Sequence, residues 1–368
     1  MSSPSGQLFG AASCRWPLLR LYRTGTLNKI LLEKARDQKI IKGKKLRLDT
    51  TVIEANIHHP TDSSLIRDGI RVVTRIIKKI AAVNEDAAEG FRDRSRSARK
   101  TMLSILKFAG RRTDEAKEEV KDAVKHLVDI GKKVVSDANN VLLRLKNPIE
   151  SQVEAVSENI GKAKERVLDK LKSATDILDK VITQTIQVLS GTTHIKNRIV
   201  SVFDPEARPI SKGKISKPTE FGYKVQIEEA AGSLVTGYDV FVGNPGDSTL
   251  LNDAVERHEA IFHAPPKELA ADRVYADRNQ ERALKDAGVY RIAIPYKGSK
   301  SQERRAEEHK PYFKRLQRWR AGGEAKISLL KRKYGLDRSI YRGFDGTQCW
   351  VAEGILTHNL RMMARQMG

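Results

Sequence analysis

Cysteine is nearly absent from this sequence: Cys14 and Cys349 stand far apart and form no metal-type pair. That excludes a disulfide framework and a cysteine-built zinc site, and it makes a reducing cytoplasm the default compartment. Long apolar runs are missing too. The N-terminal stretch from Trp16 to Leu21 is short and broken by Arg20, which excludes a signal peptide. No uncharged run has the length of a bilayer, so no membrane span is expected. Acidic residues are the third shortage. Against 68 Lys and Arg there are 46 Asp and Glu, a net charge of +22. The resulting positive field suits a polyanion, nucleic acid first, while an anionic lipid surface or a merely solvated basic surface would show the same excess.

What is present falls into segments of different texture. Residues 1–25 are rich in Ser and Gly without a period, and the spacing of Ile30, Leu31 and Ala35 predicts a short helix over Leu27 to Gln38. Leu46 to Asn56, with Val52 and Ile53, reads as a strand. From about Asp62 to Leu189 apolar residues recur at steps of three and four. Ile70, Val73, Ile77 and Ile80 make one stripe, Val120 through Leu145 a second, and Val153 through Val188 a third. Asn147-Pro148 separates the last two, which predicts an antiparallel helical pair turning near Pro148.

Beyond residue 197 strand signals return. Ile199 to Phe203, Tyr223 to Ile227, Leu234 to Val242, Val274 to Asp277 and Val289 to Ile294 read as strands. Ser248 to Phe262 and Gln280 to Ala287 read as helices. Gln302 to Tyr334 is helical with an interruption at Gly322-Gly323 and a cap at Gly335. The expected fold class is α/β: an RNase H-like mixed sheet with a long all-helical insertion after the first strand. The segments are 1–45 N-terminal, 46–61 first strand of the core, 62–196 insertion, 197–343 remainder of the core, and 344–368 C-terminal helix.

Three carboxylates stand out. Asp49 sits within the apolar strand Leu-Arg-Leu-Asp-Thr-Thr-Val-Ile, where a buried carboxylate needs a metal ion or an arginine to offset its desolvation. A solvent-facing strand edge would also accept it. Asp277 is read at a strand end, where ligands gather in open α/β sheets, and equally as the N-cap of the next helix. Glu324 follows Gly322-Gly323, whose missing side chains allow close approach of another backbone. It shares a helical face with Arg320, Ile327 and Lys331, as a solvated charged helix would also arrange. Taken together, a first-strand Asp, a strand-end Asp and a Glu on the closing helix are the oxygen ligands that two-metal phosphoryl chemistry requires. Asp239 and Asp272 are rivals for the second position. His58-His59 reads as loop, Asp204 as a supporting or turn-capping residue, and Trp319 and Trp350 as core. Lys212, Lys214 and Lys217 could track phosphates or form a solvated loop.

The strings Leu48-Asp-Thr-Thr-Val-Ile-Glu-Ala-Asn-Ile57, Pro60-Thr-Asp-Ser-Ser64, Phe203-Asp-Pro-Glu-Ala-Arg-Pro-Ile-Ser-Lys-Gly-Lys214, Val274-Tyr-Ala-Asp-Arg278 and the stretch from Glu324 to Gly343 resemble, in number and order, DDE-type insertion-sequence transposases of the IS4-like kind. The resemblance runs from about Thr26 to the C-terminus. It implies a triad at Asp49, Asp277 and Glu324 holding two Mg²⁺ ions, which Mn²⁺ can replace. It also implies phosphate contacts from Arg320 and Lys331, to which the basic loop adds Lys212 and Lys214 as candidate DNA contacts. The family signature Tyr-x2-Arg-x3-Glu-x6-Lys is met at Arg320, Glu324 and Lys331, with Gln317 at the tyrosine position. After Asp277-Arg278, Asn279-Gln280 stands where the family has Gly-Tyr. The implied activity is metal-dependent cleavage at the ends of a mobile element and strand transfer into target DNA. Double-stranded DNA is the partner, a homodimer assembles on it, and the setting is a bacterial cytoplasm, associated with the nucleoid. The short region before Thr26 implies a truncated DNA-reading segment. A non-catalytic DNA-binding or helical scaffold protein, an inactive remnant, or another RNase H-like nuclease are the competing readings.

Overall fold

The computed structural model describes residues 12–146, 158–192, 194–211 and 218–367. In chain order the elements are α1 (Ala12–Asp37), β1 (Lys42–Glu54), α2 (Asp62–Ala81), α3 (Ser95–Ala109), α4 (Asp114–Lys146) and α5 (Glu158–Leu189). Then come β2 (Arg208–Ser211), β3 (Thr219–Ala231), β4 (Val235–Phe241), α6 (Leu251–Phe262), β5 (Glu268–Ala270), α7 (Arg278–Asp286), β6 (Arg291–Ala293), α8 (Gln302–His309), α9 (Pro311–Tyr334) and α10 (Gly343–Met367). The chain divides into two compact units, one of residues 1–56 with 206–368 and the other of residues 57–205.

The first unit is mixed α/β and built on an open, six-stranded sheet of order β2-β3-β1-β5-β6, with β4 also paired to β3. β1 runs antiparallel to β3 over most of its length and parallel to β5 over Lys45 to Arg47 only. Because paired residues share a side of the sheet, one face carries Leu46 and Leu48, which pack with Leu251, Ala254 and Val255 of α6 and with Tyr275. The other carries Arg47 and Asp49 and meets α9 at Arg320, Gly323 and Ile327. Leu32 and Ala35 of α1 pack with Ile41, Leu234, Ile261 and Met363 of α10, and the Asn359 amide donates to Asn28 Oδ1 at 2.9 Å.

The second unit holds α2 to α5. The stripes read from the sequence form one core of Ile70, Val73, Leu127, Val134, Leu171 and Leu178, among others. Thr61 starts α2 with a capping box, its hydroxyl accepting from the Ser64 backbone N–H. Pro148, Val153 and Val156 lie outside the described residues.

Four expectations need correction. The helix predicted over Leu27 to Gln38 begins at Ala12. Ile199 to Phe203 is not a strand; Ile199 and Val202 pack instead on the helical core, where Gln184 Nε2 donates to Ile199 O and Gln184 Oε1 accepts its N–H. α9 runs unbroken through Gly322-Gly323, and the helical break falls before Pro311, at Lys310. Val274 to Asp277 is no strand either: Arg273–Tyr275 is a 3-10 turn. The strand in that region is Glu268–Ala270, held between β1 and β6 although Glu and Ala are poor strand formers. Tertiary pairing outweighs intrinsic preference there.

Candidate active site

Asp49 is opposite Ile227 of β3, two residues beyond Arg47, where the parallel ladder with β5 stops. Its Oδ1 accepts the Thr50 N–H at 2.8 Å. Burial pushes its carboxyl up to about 6; the Thr50 bond and the Arg320 charge oppose this, while the negative charges of Asp272 and Glu324 add to it. Those three side chains are therefore the charged neighbours of Asp49. The register explains why. Arg47 lies beside Ala270, so two residues further along the parallel strands Asp49 comes beside Asp272. Asp272 caps the 3-10 turn, its Oδ1 accepting the Arg273 N–H at 2.7 Å.

Asp277, read from the sequence both as a strand-end ligand and as a helix N-cap, takes the capping position. It is the N-cap of α7, and its Oδ1 accepts the N–H groups of Asn279 at 2.8 Å and Gln280 at 3.0 Å. Asp239 is engaged by Arg257 Nη1 at 3.2 Å. His58 stands 3.5 Å from Asp68 within the helical unit. Lys212, Lys214 and Lys217 lie outside the described residues.

Glu324 is exposed at 66 % of its side chain, and its Oε1 accepts from Arg320 Nη2 at 3.1 Å. Arg320 itself is half-buried, and its Nε is buried without a hydrogen-bond partner. Lys331 is half-buried about two turns beyond Glu324 on the same helix.

Beneath α9 the site rests on Arg47 and Glu229, with Lys326 of the helix itself, which the sequence did not single out. The Arg47 guanidinium donates from Nε and Nη2 to Glu229 Oε2 at 3.1 and 2.7 Å, and from Nη1 to the Trp319 carbonyl, with its plane 4.9 Å from the Trp319 ring. A Cβ on Gly322 would lie 2.7 Å from Arg47 Nη1. The glycine pair therefore admits an arginine side chain rather than a neighbouring backbone. Lys326 comes within 3.8 Å of Glu229, and burial lowers its ammonium. Gln317 ties α9 to the strand ends, its Nε2 donating to Ala271 O at 3.1 Å and Ala293 O at 2.5 Å. That bond steadies the residue just before Asp272. An alternating acidic and basic pattern at Arg47 and Glu229 was the available signal, but their pairing across strands is visible only in the register.

Asp49, Asp272 and Glu324 offer hard, oxygen-only donors suited to Mg²⁺, and their mutual repulsion is what a cation would relieve. Among the described residues no three metal-ligating side chains already converge on one point. Glu324, being exposed and held by a single arginine, is the one free to turn.

No helix among the described residues is long and apolar enough to cross a membrane. No curated protein and no solved structure matches the chain. Residues 196–360, which include Asp272, Asp277 and Glu324, match the family described as the transposase DDE domain. Over those residues, then, the chain carries a DDE-type transposase domain.

Proposed function

We propose that this protein is a DNA transposase of the IS4-like kind that cleaves at mobile-element ends and transfers the freed strand to target DNA. In this reading Asp49, Asp272 and Glu324 are the three carboxylates. The observation that carries it is the charge cluster around Asp49: two further carboxylates and one arginine at the end of the β1–β5 ladder. The order β4-β3-β1-β5-β6, antiparallel then parallel, supports an RNase H-like core, with residues 62–196 as its helical insertion. Placing the second carboxylate at Asp272 also improves the resemblance, since Asp272-Arg-Val-Tyr275 restores the tyrosine that Asn279-Gln280 lacked.

The chain's own contributions follow from position. Asp49 is the buried anchor and must be ionised to hold a cation. Asp272 faces it from the neighbouring strand end, and Glu324 closes from α9. Arg320, with its unpartnered Nε, and Lys331 offer positive groups to the scissile phosphate; Lys212 and Lys214 are assigned to the flanking backbone. When bound, two Mg²⁺ ions, or Mn²⁺, activate the attacking oxygen and stabilise the leaving one. Duplex DNA and a second copy of the chain complete the assembly.

The Arg320–Glu324 pair favours one rival, a DNA-binding remnant in which Glu324 never reaches the metal. A pH series separates the two. Because Asp49 is held at about 6 rather than its ordinary 3.8, a bound divalent ion must displace its proton at low pH. Millimolar Mg²⁺ should therefore raise Tm at pH 8, by mass action on the folded state, and the gain should shrink as pH falls through about 6. Cleavage of duplex carrying the element ends should follow the same profile. A gain equal at pH 5 and 8, or none at all, would put the remnant ahead.

A further inference from the structure

The α3 helix carries Arg96, Arg99, Lys100 and Lys107 and not one acidic residue. At ~100° per residue these four, with Leu103 and Leu106, fall within an arc of about 120°. Ala98, Met102 and Ile105, the residues α3 buries, lie on the opposite side. All four cations are exposed and none forms an ion pair with a described residue; Lys107 and, just past the helix, Arg111 only stack on Phe108. Nearby carboxylates are already neutralised, Asp93 by Lys78 at 2.5 Å and Asp137 by Arg94. Asp93 is held down to about 2 by Lys78.

The neighbouring α4 shows what an ordinary solvated face looks like in the same unit. There Lys117, Lys121 and Lys125 each pair with an acid three residues earlier, at 2.6, 2.9 and 2.9 Å. Helix α3 has no such compensation, so its like charges repel unless an outside anion meets them.

We infer that the exposed face of α3, continued by Arg111 and Arg112, is a second binding surface, fitted to the phosphate backbone of duplex DNA. It belongs to the helical unit and lies outside residues 196–360 in sequence. Guanidinium groups dominate it, and these bind phosphate oxygens in a bidentate fork. The four helix positions span about 17 Å of axis, enough to follow several phosphates. Leu103 and Leu106 are exposed at 57 % and 58 %. Two leucines are a small apolar area for lipid insertion, and charge complementarity favours the nucleic acid.

The test uses the full chain with Arg96, Arg99, Lys100 and Lys107 all changed to Gln, helix content being checked by circular dichroism. Each lost phosphate contact should make the plot of log affinity against log salt shallower by about 0.9, so for four contacts the slope should fall by about 3.6 for random duplex. A control with Lys117, Lys121, Lys125 and Lys132 changed to Gln removes the same charge and should lower the slope by less than one. Equal slopes in the two variants would overturn the inference, since net charge alone would then account for binding. So would an unchanged DNA slope together with loss of binding to phosphatidylserine vesicles, which would make the partner a membrane. Because binding is read without cleavage, failure of the carboxylate assignment would leave this result intact.

Discussion

Asp272→Asn should lower Mg²⁺-dependent strand cleavage by about 10²–10³-fold, the scale for removing one preorganised charge-stabilising group, while Asp277→Asn should stay within a few-fold of wild type. The contrast follows from what each carboxylate touches. Asp272 faces Asp49 across the end of the β1–β5 ladder and adds to its charge environment. Asp277 is occupied by the Asn279 and Gln280 N–H groups at the start of α7. Asparagine caps a helix about as well as aspartate, so Asp277→Asn should cost only tenths of a kcal/mol, and Asp277→Ala about 1 kcal/mol. Asp49→Asn and Glu324→Gln should behave like Asp272→Asn. DNA affinity should survive in all of them, because it rests on cations. The measurement is single-turnover cleavage of an element-end duplex alongside filter binding. Loss of cleavage in Asp277→Asn with retention in Asp272→Asn would return the second carboxylate to Asp277.

The second large effect lies on the opposite face of the sheet. Lys224, Gln226 and Glu228 are all buried along β3. Glu228 is only 1 % exposed, and Arg257 of α6 answers it, donating from Nε to Oε1 at 2.8 Å and from Nη2 to Gln226 at 2.8 Å. Gly237 opposite makes the room: a Cβ there would lie 1.9 Å from Glu228 Oε2. Burial raises the Glu228 carboxyl to about 7 against an ordinary 4.5, with Arg257 opposing that rise. Arg257→Met removes the compensating charge and should destabilise the sheet unit by about 3–5 kcal/mol at pH 8.

The loss should be smaller at pH 5. There Glu228 is protonated in the folded state, and the loss of Arg257 leaves only the part-exposed Asp239 without its partner. In the wild type the raised carboxyl works in the same direction. Between about 4.5 and 7 the folded chain holds a proton that the unfolded chain has released, so stability falls as pH rises through that window. Urea unfolding at pH 5 and pH 8 reads both effects. A pH-independent loss in Arg257→Met would mean that its packing, not its charge, matters. Glu228→Gln in the Arg257→Met background should recover part of the loss at pH 8 and little at pH 5.

How much of the proposed site could be read beforehand divides along the same physical lines. Asp49 was legible because a charge inside an apolar alternation is conspicuous. Arg320 and Glu324 were legible because helical spacing fixes which side chains share a face. The second carboxylate was not. Asp272-Arg273 and Asp277-Arg278 are identical dipeptides five positions apart, and Val-Tyr-Ala between them has the β-branched and aromatic character of a strand. Local preference therefore favoured Asp277, whereas the strand register sets Asp272 beside Asp49. Gln317 was noted only as a departure from a tyrosine, although its amide bonds two strand-end carbonyls beside Asp272.

The amino-acid order by itself determined the local features. The 3- and 4-residue apolar steps set the helices of residues 62–189, Thr61 and Ser64 set where α2 starts, and Gly335, in the left-handed region at φ 74°, sets where α9 stops. Periodicity and caps act over one or two turns, and such signals are complete within a short stretch of chain. Tertiary structure alone decided which aspartate stands beside Asp49, that Arg47 passes under Gly322 to Glu229, and that Glu268–Ala270 is a strand. Each depends on strand register between segments separated by more than 180 residues or by a whole helix. A register shift of one residue turns every side chain to the other face. No local preference carries that information, and only the packed sheet selects it.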